Sequence, residues 1–89
     1  MDFEWDAGKA RLNEAKHGVS FAEASEVFGD DYSSSVQDPE HSAGEERYLI
    51  FGKSRGSTYL VVSFTERSER IRIISARRMT TRERKAYEQ

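Results

Sequence analysis

Two histidines, His17 and His41, and a set of arginines that includes Arg47, Arg67 and Arg77 are the side chains best suited to chemistry at neutral pH. An imidazole titrates near pH ~6.5 and exchanges a proton readily. A guanidinium keeps its charge and presents a phosphate with parallel N–H donors. Together these types suit attack of a ribose 2′-hydroxyl on its neighbouring phosphate: a base for the hydroxyl, an acid for the departing 5′-oxygen, and cations for the charge that builds on phosphorus. That reaction needs no metal and no cofactor. The chain offers no HExxH pair, no EF-hand loop and no glycine-rich phosphate loop, and two histidines separated by an acidic stretch make a poor metal site. The plain alternatives are that His17 completes a helix C-terminus, that His41 is solvated in a loop, and that the arginines pair with Glu45, Glu46, Glu66 or Glu69 at the surface.

The elements that must position these residues are legible from caps and periodicity. Asp2 to Trp5 alternates polar and aromatic residues as a short strand does, and Asp6 caps a helix running from Ala7 to about Lys16, stopped by Gly18. Ser20 and Glu23 have capping-box spacing and open a second helix whose Phe21, Ala24, Val27 and Phe28 share a face. Gly29 to Glu45 is rich in Asp, Ser and Gly, with a candidate strand at Tyr32 to Val36, and carries His41. Three strands are predicted at Arg47–Gly52, Thr58–Arg67 and Arg70–Arg78, joined by short turns into an antiparallel meander. Thr80 and Glu83 then start a short terminal helix anchored by Ala86 and Tyr87. The predicted fold class is α+β, in one domain over residues 1–89.

Within a meander, Arg47, Arg67 and Arg70 or Arg72 fall at one sheet end, and Arg77 falls toward the other unless the register is offset. Strand parity sets Ile71, Ile73, Ser75 and Arg77 on one face and Arg72, Ile74, Ala76 and Arg78 on the other. Arg77 and Arg78 therefore cannot serve one site. Trp5, Tyr48 and Tyr59 are candidate base-stacking aromatics or core residues.

Composition narrows the classes. Without cysteine there is no disulfide, thiolate metal site or thiol nucleophile. No apolar run approaches the ~20 residues of a membrane span, and the acidic MDFEWD start is unlike a secretory signal, so a cytoplasmic location is expected. The net charge of −2 hides a division: residues 1–44 hold three Lys/Arg against ten Asp/Glu, and residues 45–89 hold eleven against six. A basic half can attract phosphate while an acidic half attracts a basic partner. Direct DNA binding is disfavoured, because no helix-turn-helix pattern is present and the basic residues lie mainly on strands.

Phe3-Glu4-Trp5-Asp6, Lys9, Asn13, Lys16-His17-Gly18-Val19-Ser20-Phe21, Glu23-Ala24 and Val27-Phe28 resemble the N-terminal signature of the BrnT family of bacterial toxins. Asp38 with His41-Ser42, Glu45-Glu46-Arg47, Gly52 with Ser54, Thr65-x-Arg67, Ile71 to Arg77, Glu83-Arg84 and Tyr87-Glu88 continue the likeness over essentially the whole chain. Met79 departs from it, standing where the family often has a small residue. The resemblance implies a RelE-like ribonuclease fold, metal-independent RNA cleavage that suppresses translation, and neutralisation by a BrnA antitoxin with a ribbon-helix-helix DNA-binding domain, operator DNA being reached only through that partner. It also implies that His17, His41, Arg47, Arg67 and Arg77 are catalytic or phosphate-contacting, with Lys16 and Glu46 as supporting acid/base or electrostatic groups. The rival expectation is a non-catalytic module that binds the antitoxin and acts as a co-repressor.

Overall fold

The computed structural model describes residues 1–41 and 44–89, so that Ser42 of the sequence signature lies outside the described residues. The fold is α+β. Strand β1 (Asp2–Glu4) leads into helices α1 (Ala7–His17) and α2 (Phe21–Glu26), the second continued by a short helical turn at Val27–Gly29. Strand β2 (Ser34–Gln37), a second short turn at Pro39–His41, strands β3 (Tyr48–Lys53), β4 (Tyr59–Arg67) and β5 (Arg70–Arg78), and helix α3 (Thr81–Tyr87) complete the chain.

The helices begin and end where side-chain chemistry dictates. Asp6 Oδ2 accepts from the Lys9 amide at 2.8 Å, and Gly18 closes α1 at φ 70°, its amide donating to the Glu14 carbonyl, a backbone conformation that suits a residue without Cβ. Ser20 Oγ accepts from the Glu23 amide at 3.0 Å. Only half of the expected box forms there, because the Glu23 carboxylate instead accepts from Ser54 Oγ at 2.9 Å and ties α2 to the end of β3. The box at Thr80 and Glu83 forms in full.

The five strands run in the order β1-β5-β4-β3-β2. The predicted meander is the antiparallel centre, β2 adds antiparallel to β3, and β1 pairs in parallel with β5 through Asp2↔Arg70 to Glu4↔Arg72, which makes the sheet mixed. Helices α1 and α2 cover one face, where Val19, Phe21, Ala24 and Val27 meet Ile50, Leu60, Val62 and Phe64. Phe3, Phe28, Phe64 and Tyr48 continue that layer as ring pairs with centroids 5.0 to 5.5 Å apart. A methyl at Gly52 would lie 2.6 Å from Val27 Cγ1, so the glycine lets the turn after α2 settle on β3. Helix α3 meets the remainder through Tyr87, whose ring packs edge-on to Tyr59 and whose hydroxyl donates to Asp30.

Strand parity fails at one place, and the failure shapes a concave face of the sheet. Ser63 opposes Ser75 but Phe64 opposes Ile73, leaving Ile74 as an extra residue in β5. This bulge resets the alternation. Ile73 and Ala76, placed by parity on opposite faces, both enter the core, at 2% and 1% exposure. Ile74 and Ser75 both line the concave surface described next.

Candidate active site

A cavity of about 360 Å³ is lined by Asp38, His41, Arg47, Leu49, Ser63, Ile74, Ser75 and Arg77, together with Glu40. Its floor is one transverse row of the sheet, Leu49↔Ser63↔Ser75, in register across β3, β4 and β5. Arg47 stands just before β3 and Arg77 near the end of β5, so the two cations approach the row from opposite ends.

The sequence expectation grouped Arg47 with Arg67 at one sheet end. Strand length decides otherwise. β3 begins at Tyr48, opposite Phe64, so the β4–β5 hairpin runs on past it to Arg67↔Arg70. Arg47 therefore lies level with Thr65, two residues short of Arg67 along the hairpin. Arg67 sits out on the projection, where its Nε and an NH2 hydrogen bind Glu45 at 3.0 Å. Arg70 and Arg72 turn to Glu4, at 3.9 and 2.9 Å. The cluster of Arg47, Arg67 and Arg70 or Arg72 does not form, and Arg67 is not among the cavity residues.

His41 is held by a device the sequence reading did not single out. The turn Pro39–His41 brings its Nδ1 to 2.9 Å from Asp38 Oδ2. A carboxylate only accepts, so Nδ1 carries the hydrogen and Nε2 is left as the atom for proton exchange. Asp38 is half-buried and His41 largely exposed, and the turn is fastened to the sheet by the Asp38 amide donating to the Arg47 carbonyl at 2.8 Å. The spacing Asp38-Pro39-x-His41 is the signal for this pair in the sequence, since a proline-initiated turn stacks residues three apart.

Arg77 is oriented from α3. Its NH1 and NH2 donate to the two Glu83 oxygens at 2.8 and 2.9 Å, and NH1 also reaches the Arg78 carbonyl. These contacts occupy one edge of the guanidinium. Among the described residues nothing takes Nε–H or the second NH2 hydrogen, which form a second parallel donor pair of the kind phosphate accepts. The hydrogen bonds from Arg77 hold the Glu83 carboxyl at about 2, far below the usual carboxylate range, and raise Arg77 further. Because the folded-state value is depressed, the pair's stabilisation is fully present above pH ~4.5 and is lost as pH falls toward about 2. Solvent screens the partly exposed pair, so Glu83→Gln is expected to cost about 0.5–1 kcal/mol at pH 7. Urea unfolding of both proteins from pH 7 to 2 checks this, the difference narrowing as the solution becomes acid.

His17 and Lys16 line a separate, shallower concavity of about 240 Å³ with Lys9, Leu12 and Asn13, which adjoins the first across shared residues Ile74 and Ser75. Glu46 is not among the lining residues of either; its carboxylate accepts from the Tyr48 hydroxyl at 2.7 Å, and that bond raises the Tyr48 pKa. Tyr48 stacks on Phe64 and Trp5 packs edge-on to Phe21, so both are used in packing. No three His, Asp or Glu residues among those described converge as a metal site, and no helix among them is long and apolar enough to cross a membrane.

Comparison with known proteins agrees with the architecture. The family model described as ribonuclease toxin, BrnT, of type II toxin-antitoxin system matches residues 5–83. The crystal structure of the Brucella abortus ribonuclease toxin, BrnT, aligns with a TM-score of 0.66 and 28% identity, covering 91% of this chain and 99% of that one. A search of curated proteins finds no match. With the matched segment taking in all of the cavity residues, the chain belongs to the BrnT family of ribonuclease toxins of type II toxin-antitoxin systems.

Proposed function

We propose that this single-domain protein is a metal-independent endoribonuclease that cuts RNA by transphosphorylation in the cytoplasm and so suppresses translation. The observation that carries the reading is the Asp38–His41 pair sharing one cavity with Arg47 and Arg77. His41 Nε2 takes the proton of the ribose 2′-hydroxyl, and O2′ then attacks phosphorus as the bond to the 5′-oxygen breaks. Arg47 and the second donor edge of Arg77 face the charge accumulating on the phosphoryl oxygens. The leaving oxygen receives a proton from the adjoining concavity, where His17, Lys16 and Lys9 are the proton-bearing groups. Arg67 and Glu46, bound to Glu45 and Tyr48, act from outside the cavity as electrostatic support. The products are a 2′,3′-cyclic phosphate and a 5′-hydroxyl.

Membership of the family implies an antitoxin partner. We assign that role to a BrnA-type ribbon-helix-helix protein through which the complex reaches operator DNA. The contrast between a carboxylate-rich first half and an arginine-rich second half supports separate surfaces for a basic partner and for RNA.

A second reading is favoured by one observation: Arg67, Arg72 and Arg77 each hold a carboxylate, as arginines of a purely structural module would. Antitoxin-free protein incubated with RNA in excess EDTA separates the two. Cleavage with cyclic-phosphate ends is expected; intact RNA at every protein concentration would favour the non-catalytic module, and 3′-hydroxyl ends made only with added metal would overturn the mechanism.

A further inference from the structure

Arg77 and Arg78 are consecutive, yet they line different concavities. Arg77 enters the His41 cavity, and Arg78 lines a second one of about 320 Å³ with Ser57, Thr58, Tyr59, Met79 and Arg84. Around the Tyr59 ring three cations gather: Arg84 lies over it with Cζ 4.1 Å from the centroid, Lys53 Nζ is 5.8 Å from it, and Arg78 shares the concavity. Arg78 makes no ion pair among the described residues, and Arg84 has only a loose contact with Glu88 at 3.6 Å. Ser57 borders both this concavity and a larger one that holds Lys53 and Arg55 together with Glu26 and Asp30, so the two concavities adjoin around the β3–β4 turn.

None of these groups is used by the proposed chemistry. Cations around an aromatic ring are the pattern by which proteins track a single-stranded backbone without reading its sequence, and here one carboxylate, Glu88, is shared between Arg84 and the Tyr59 hydroxyl. Resting on the reading of the first cavity as the place of cleavage, we infer that the Lys53, Tyr59, Arg78 and Arg84 surface binds the phosphodiester backbone of RNA flanking the cleaved linkage. The step from Arg77 to Arg78 carries the strand from one concavity to the next. The protein is thereby matched to extended single-stranded RNA rather than to isolated dinucleotides.

The test uses a fluorescent, uncleavable 2′-O-methyl RNA of twenty nucleotides, titrated with wild type and with Lys53→Glu/Arg78→Glu/Arg84→Glu, followed by anisotropy at several salt concentrations. The expected result is at least tenfold weaker binding by the variant and a salt dependence shallower by about 2 in log–log slope, since each lost phosphate contact contributes roughly 0.7 on single strands. Cleavage of a dinucleotide is expected to be unchanged. Should the triple variant fail to fold, Arg78→Gln alone is expected to weaken binding about threefold. Equal binding by wild type and a folded variant would overturn the site. An equal loss of dinucleotide cleavage would overturn it too, since the patch would then act through the catalytic cavity. Patch-dependent binding by a wild type that cleaves nothing would sink the ribonuclease reading and leave the binding site standing.

Discussion

Arg77→Ala is expected to slow RNA cleavage by roughly 10²–10³-fold, the scale of removing a charged donor from a developing oxyanion. The same substitution also removes the ion pair with Glu83, so a fall in rate alone could reflect a loosened α3. Glu83→Gln is the control. It weakens the same pair but leaves the Arg77 Nε–H and second NH2 hydrogen available to phosphate, and cleavage is expected to stay within about tenfold of wild type. Single-turnover rates on one short RNA, with melting temperatures of both variants, check the pair of expectations. Equal rates for the two variants would reduce Arg77 to a structural residue.

The largest expected loss of stability comes from Asn13→Leu. Asn13 is the buried residue of α1, and no leucine or isoleucine shares that role: Leu12 is 73% exposed. Its amide donates to the Val19 and Ala76 carbonyls at 3.1 and 2.9 Å, while its Oδ1 accepts from the Ala76 amide at 3.1 Å. β1 pairs with β5 only as far as Arg72, and beyond that point the Asn13 carboxamide supplies both halves of a strand's hydrogen bonding to Ala76. Leucine fills a similar volume but leaves the Ala76 N–H and two carbonyls buried without partners. At about 1–3 kcal/mol for each unsatisfied group, softened by relaxation, a loss of roughly 3 kcal/mol is expected. For a domain of this size that lowers the melting temperature by about 10–25 °C. Thermal unfolding followed by circular dichroism measures it, and a loss below about 1 kcal/mol would mean that apolar packing, not this clasp, docks α1. Ala76 lies between Ser75 and Arg77, so the same clasp sets the part of β5 that lines the His41 cavity.

Local chemistry was readable in advance wherever it is decided by neighbours in sequence. Asp6, Ser20 and Thr80 each cap the helix expected of them, and Gly18 takes the left-handed conformation that ends α1. The meander followed from apolar runs and short turns. What stayed hidden is set by distant contacts. The parallel pairing of β1 with β5 joins residues nearly seventy apart. The extra residue Ile74 lies in an apolar run with no glycine or proline to mark a bulge, so parity misassigned Ala76. The stagger that separates Arg47 from Arg67 depends on β3 being three residues shorter than β4. His41, Arg47 and Arg77 could be chosen by residue type and family likeness, whereas their company in one cavity, with Asp38 and Glu83 holding two of them, belongs to the tertiary fold.

The most direct test of the central claim is an NMR titration of the antitoxin-free protein with an uncleavable 2′-deoxy dinucleotide, following the imidazole and guanidinium resonances. His41, Arg47 and Arg77 are expected to shift together with one dissociation constant while Arg67 stays in place. Shifts at Arg67 with His41 and Arg77 unmoved would contradict it.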